Sequence, residues 1–135
     1  MVQKIAQAIV RQAKEECAQD IYFVPKDDCY ELYMRIGDER RFIQTYDFDQ
    51  LAAVISHFKF LAGMNVGEKR RSQLGSCDYR YDDKETSIRL STVGDYRGYE
   101  SLVIRLLHDE ETELKFWFTH FPEFREKFKD RGLYL

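Results

Sequence analysis

The sequence predicts an α+β domain, and three observations carry that prediction. Apolar residues recur at three- and four-residue intervals over about 2–17 and again over 48–62, the spacing of one helical face. Residues 29–46 form two alternating runs around Gly37-Asp38, which reads as a hairpin. Residues 77–107 hold three further alternating runs separated by turn residues, which reads as a three-stranded meander. The expected architecture is two helices packed on a largely antiparallel sheet made of the hairpin and the meander, followed by a C-terminal linker helix.

In the first helix Val2, Ile5, Ala6, Ile9, Val10, Ala13 and Cys17 share one face, with Lys4, Arg11, Lys14 and Glu15 on the other. From Asp20 to Val24 the period changes to two, with Ile21 and Phe23 on one side and Tyr22 and Val24 on the other. Pro25 ends this strand or places it at a sheet edge. In the hairpin, Tyr30, Leu32, Met34 and Ile36 share an apolar face, and Arg40–Tyr46 forms the return strand. A lone hairpin is marginal, so this face needs the helices. Asp47 is a good N-cap with Gln50 three residues on, Leu51, Val54, Ile55, Phe58, Leu61 and Ala62 mark the buried stripe, and Gly63 fits the position just past the end.

The stretch from Gly67 to Gly75 is polar and basic and reads as a loop. Cys77, Tyr79 and Tyr81 alternate with Asp78, Arg80 and Asp82, and Asp82-Asp83-Lys84 turns the chain into a strand over 86–93. There Ile88 and Leu90 face the core while Arg89 and Ser91 face away. The last strand of the meander spans 99–107 and carries Arg105 inside an apolar run. Beyond it lie an acidic link at 109–113, an alternating stretch at 114–118 and a helical spacing at 121–129. The apolar end Leu133-Tyr134-Leu135 reads as the start of a buried strand, so a continuation downstream is expected.

Composition sets limits. At 135 residues the chain can bury a real core, about two-thirds of its unfolded surface. Hydrophobic residues at 44% and charged residues at 33% argue against disorder, and a net charge of −3 makes no general case for nucleic acid or membranes. Any basic site must be local. Cys17, Cys29 and Cys77 form no close pair, which points to reduced thiols in the cytosol, and the three His lack metal-ligand spacing. No apolar run approaches the roughly 18 residues of a membrane span.

The candidate site residues are arginines. Arg89 lies on the polar face of its strand, where its planar fork suits a phosphate; the plainer reading is a surface pair with Asp78 or Glu100. Arg105 either meets a phosphate or, with its stem buried in the apolar run, finds a carboxylate or carbonyls. Arg70 belongs to the cluster Lys69-Arg70-Arg71, which either touches phosphates or an acidic partner or is a solvated loop. The first helix either presents its apolar stripe to a partner protein or packs on its own sheet. No Gly-x-x-x-x-Gly-Lys-Ser/Thr occurs in the 135 residues, so this chain alone is not expected to hydrolyse a nucleotide.

Five short motifs occur in a telling order: Ala18-Gln19-Asp20-Ile21-Tyr22, Met34-Arg35-Ile36-Gly37-Asp38 through Arg40, Leu61-Ala62-Gly63-Met64-Asn65-Val66-Gly67-Glu68-Lys69-Arg70, Arg89-Leu90-Ser91-Thr92, and Val103-Ile104-Arg105-Leu106-Leu107. From about Gln19 to Leu107 the chain resembles the N-terminal domain of the traffic ATPases that drive type II secretion, type IV pili and competence pseudopili. Its Gly98-Tyr99-Glu100 variant and start at Met1 are most like the Gram-positive competence ATPases of DNA uptake. The resemblance implies a PAS-like domain over 1–110, with 111–135 a linker leading into a RecA-type ATPase domain. It implies that Arg89, Arg70 and Arg105 meet the phosphates of ATP across the domain cleft, with Mg²⁺ supplied to the full-length protein and no cofactor in this chain. It also implies a homo-hexamer, an inner-membrane platform protein as partner, no direct contact with nucleic acid, and a cytoplasmic location at the membrane through partners. The chain departs from the family at Gln73-Leu74-Gly75-Ser76, where Gln-Asp-Gly-Arg is usual, so one phosphate-directed arginine is missing. A free-standing PAS-like ligand sensor, which needs a cavity with convergent polar groups, and a nucleic-acid-binding module, which needs stacking aromatics beside basic residues, are the other classes left open.

Overall fold

The computed structural model of the chain describes residues 1–107. The order of elements is α1 (Val2–Glu15), β1 (Asp20–Pro25), β2 (Cys29–Ile36), β3 (Glu39–Asp47), α2 (Phe48–Leu61), β4 (Gln73–Tyr81), β5 (Lys84–Gly94) and β6 (Glu100–Leu107). The strands form one six-stranded sheet in the order β3-β2-β1-β6-β5-β4, and every neighbouring pair is antiparallel. The expected α+β architecture is present. The linker helix and all other readings beyond residue 107 lie outside the described residues.

Both helices pack on one face of the sheet. Ala6, Ile9, Val10 and Ala13 of α1 and Leu51, Val54, Ile55 and Phe58 of α2 are buried with Ile21, Phe23, Leu32, Met34, Ile88, Leu90, Leu102 and Ile104 from the strands. Strand alternation turns this one set inward and leaves the other set on the opposite, open face. The apolar stripe of α1 is therefore committed to the domain's own core. Asp47 caps α2 by accepting from the Gln50 backbone N–H at 3.3 Å, and Gly63 takes a φ of 71° just past its end.

Three details settle or depart from the sequence expectation. Strand β1 is central, between β2 and β6, so Pro25 ends it and does not mark an edge. The stretch Gln73–Gly75, expected in a loop, is the start of β4 and pairs with Thr92, Ser91 and Leu90. A Cβ at Gly75 would sit 2.7 Å from the Met64 side chain, which would have to shift to admit it. The β2–β3 pairing carries an irregularity between Leu32 and Tyr33. It lets Tyr46 lie opposite buried Tyr30 while Phe42 lies opposite Tyr33 on the open face, a change of phase that one extra residue produces.

Candidate functional site

The open face carries a single transverse row, read strand by strand from the pairing register: Ser76 on β4, Arg89 on β5, Arg105 on β6, Asp20 on β1, Arg35 on β2 and Arg40 on β3. Antiparallel partners sit roughly 4.5–5.5 Å apart at Cα, so these side chains form one band across the sheet. A second row runs beside it through Leu74, Ser91, Val103, Tyr22, Tyr33 and Phe42. Four guanidiniums thus share the first row with one carboxylate.

The arginines are held differently. Arg40 stacks on the rings of Tyr22 and Tyr33, at 4.8 and 4.5 Å to the centroids. The Arg105 Nε–H donates to Asp20 Oδ1 at 3.2 Å, and the Tyr22 hydroxyl donates to Asp20 Oδ2 at 3.2 Å. The Asp20 side chain is 5% exposed, while that of Arg105 is 67% exposed. The expectation that burial of the Arg105 stem forces its head onto a carboxylate is half right. The carboxylate is there, but the arginine is exposed and it is the aspartate that is buried.

Arg89 is exposed and has no hydrogen bond or ion pair among the described residues. Neither expected partner is available to it. Asp78 accepts from the Ser87 hydroxyl at 2.7 Å, and Glu100 lies on the helix-covered face. The position where the family's second arginine is expected, Ser76, is the direct cross-strand neighbour of Arg89.

Arg70 is not part of this band. It lies in the α2–β4 loop, whose backbone runs against Gly94 at the far end of β5; a Cβ on Gly94 would fall 1.8 Å from the Lys69 carbonyl oxygen. Five residues of strand separate Gly94 from Arg89, about 17 Å. The three sequence candidates therefore divide into a neighbouring pair, Arg89 and Arg105, and a remote loop residue.

Lys59, which the sequence reading passed over, fixes that loop. Its ammonium is fully buried and donates to Glu100 Oε2 at 2.7 Å, to the Glu68 carbonyl at 2.8 Å and to the Val66 carbonyl at 3.4 Å. The Glu68 carboxylate accepts from the Arg70 backbone N–H at 2.9 Å, and such bonds hold its pKa below the usual carboxylate range. The sequence does hold a signal for the pair. Lys59 falls on the stripe of Leu51 and Ile55 at four-residue steps, and Glu100 is in phase with buried Leu102, Ile104 and Leu106.

A pocket of about 210 Å³ opens beside this loop, lined by Tyr30, Phe48, Tyr99, Lys69, Arg97 and Glu100 among others. Phe48 touches both tyrosine rings, at 4.9 and 4.7 Å, and Arg97 stacks on Tyr99 at 4.4 Å. Among the described residues no three of His, Cys, Asp or Glu are grouped to hold a metal, and no helix is long and apolar enough to cross a membrane. The open row fits a phosphate group, since guanidinium forks match its oxygens. It supplies no set of oxygen ligands for Mg²⁺, as its one carboxylate is already engaged.

A two-layer α+β unit with a row of arginines across its open face does not by itself define a function. Comparison with known proteins narrows it: residues 1–131 match the family model described as "Type II/IV secretion system protein", and the chain belongs to that family. It is 70% identical to competence protein ComGA of Streptococcus pneumoniae over all 135 residues, which cover 43% of that protein. It is 35% identical over 105 residues to the type IV pilus assembly ATPase PilB of Thermus thermophilus, covering 78% of this chain and 12% of PilB. With type II secretion system protein E of Xanthomonas campestris it shares 31% over 120 residues, 89% of this chain and 21% of that protein. The chain thus spans less than half the length of these relatives.

Proposed function

We propose that this chain is the N-terminal regulatory and assembly domain of a cytoplasmic traffic ATPase that powers pseudopilus assembly for DNA uptake. In this reading residues 1–110 form the domain and 111–135 lead into a RecA-type catalytic domain. That domain holds ATP and Mg²⁺, and the open sheet face closes over the ATP phosphates. Neighbouring subunits of a homo-hexamer and an inner-membrane platform protein are the partners. The observation that carries the reading is Arg89, exposed and without a partner among the described residues, beside Arg105 on an open face, in a chain whose 135 residues are 70% identical to a competence protein.

The test is turnover in the full-length protein. Arg89→Ala should cut ATP hydrolysis at least about tenfold, a barrier change of roughly 1.4 kcal/mol, and lysine should not restore it fully because it lacks the fork. In this chain the same change should alter stability by less than about 1 kcal/mol, since an exposed side chain contributes little. Near-normal turnover removes the reading. The aromatic pocket at Tyr30, Phe48 and Tyr99 favours a second one, a ligand-sensing domain. That reading predicts a thermal upshift with a small aromatic anion, lost in Tyr99→Ala.

A further inference from the structure

We infer that Asp20 is a positioning residue. Its buried carboxylate sets the Arg105 guanidinium beside Arg89, so the second arginine of the phosphate-facing pair comes from β6 and not from β4. The inference rests on the proposed reading of the open face as the surface that meets phosphate.

Three observations lead to it. Position 76 on β4 is a serine, so the neighbour of Arg89 on that side brings no charge. The neighbour on the other side is Arg105, in the same row and on the same face. Two guanidiniums on adjacent strands, with the single Asp20 carboxylate offsetting only one of them, leave a net positive charge that a phosphate between them would take up with both forks.

Asp20 decides how Arg105 is presented. A carboxylate that is almost wholly buried must be matched by donors, and both of its oxygens are, one by Arg105 Nε–H and the other by the Tyr22 hydroxyl. Only Nε of Arg105 bonds to Asp20. The two terminal nitrogens, which grip phosphate side by side, stay on an exposed side chain. Asp20 therefore fixes one end of the guanidinium and leaves the working end outward. Arg35, its neighbour on the other strand, is exposed and makes no bond to it among the described residues, so the aspartate serves Arg105.

The experiment is a titration of this chain with tripolyphosphate at low salt, followed through the Nε–H signals of its arginines. In the unaltered chain the Arg89 and Arg105 signals should both move. Asp20→Asn should weaken binding about tenfold and sharply broaden the Arg105 signal before any ligand is added. Arg105→Lys keeps the charge on an exposed site and so tests orientation without burdening the fold; it should weaken binding about as much as Arg105→Ala. Unchanged affinity in Asp20→Asn, or full affinity in Arg105→Lys, overturns the inference while leaving the phosphate reading intact. Tripolyphosphate binding that survives Arg89→Ala but is lost when Lys69, Arg70 and Arg71 are all changed to Gln overturns the phosphate reading of the row itself.

Discussion

The Lys59 ammonium lies 2.7 Å from Glu100 Oε2 with both side chains almost wholly shielded from water, so one buried ion pair joins the last turn of α2 to the first residue of β6. The same ammonium binds two carbonyls of the loop that carries Lys69, Arg70 and Arg71. Removing one partner leaves the other charge buried and unmatched. Lys59→Met should destabilise the chain by about 3–5 kcal/mol. The double change Lys59→Met with Glu100→Gln should recover much of that loss. Urea midpoints of the parent, the single and the double variant check it, and a double no more stable than the single would show that the pair's value lies in the loop carbonyls.

Asp82 and Asp83 form the two-residue turn between β4 and β5, with φ of 48° and 63°. Both angles are in the left-handed region, which costs a residue with a Cβ roughly 1–2 kcal/mol. Asp82 is tied to Arg11, but no bond holds the Asp83 side chain among the described residues. Asp83→Gly should raise stability by up to about 1 kcal/mol after the entropy of the glycine is subtracted. A lower thermal midpoint would contradict this.

Gly94 is the point where β5 meets the loop backbone, and a methyl there would collide with the Lys69 carbonyl and the Arg70 Cα. Backbone cannot rotate away as a side chain can. Gly94→Ala should cost about 1–3 kcal/mol and expose the bonds around Lys69 to trypsin, since the loop must lift. Cleavage rates of folded variant and parent measure the effect.

Acid should loosen the domain in a defined way. The Arg11 guanidinium holds the Asp82 carboxyl below its usual value of 3.8, and the Arg70 backbone N–H does the same for Glu68, whose usual value is 4.5. A carboxyl with a lowered folded pKa contributes stability that is fully present above its unfolded value, and loses it as pH falls through the folded one. Stability should therefore decline on going below roughly pH 4–5. Arg11→Gln removes the cause at Asp82, so the difference in stability between parent and variant should shrink as pH falls through that range. A constant difference would show that the Arg11–Asp82 pair does not titrate with folding.

Periodicity alone determined most of the secondary structure. Helix α2 was legible because its N-cap, stripe and terminal glycine agree, and Ile88 and Leu90 could be turned inward and Arg89 outward from alternation alone. The five ordered motifs carried the family, which the match over residues 1–131 bears out. Pairing between distant strands was not legible, since β1 meets β6 across some eighty residues and nothing local encodes that register. That single pairing puts Asp20 opposite Arg105, merges the hairpin and meander into one sheet, and lines up the row from Ser76 to Arg40. The packing of the α2–β4 loop against Gly94 at the far end of β5 separates Arg70 from Arg89. Side-chain direction is a property of a few consecutive residues, so sequence shows it. Which outward residues become neighbours depends on how the strands assemble, and only the folded sheet decides that.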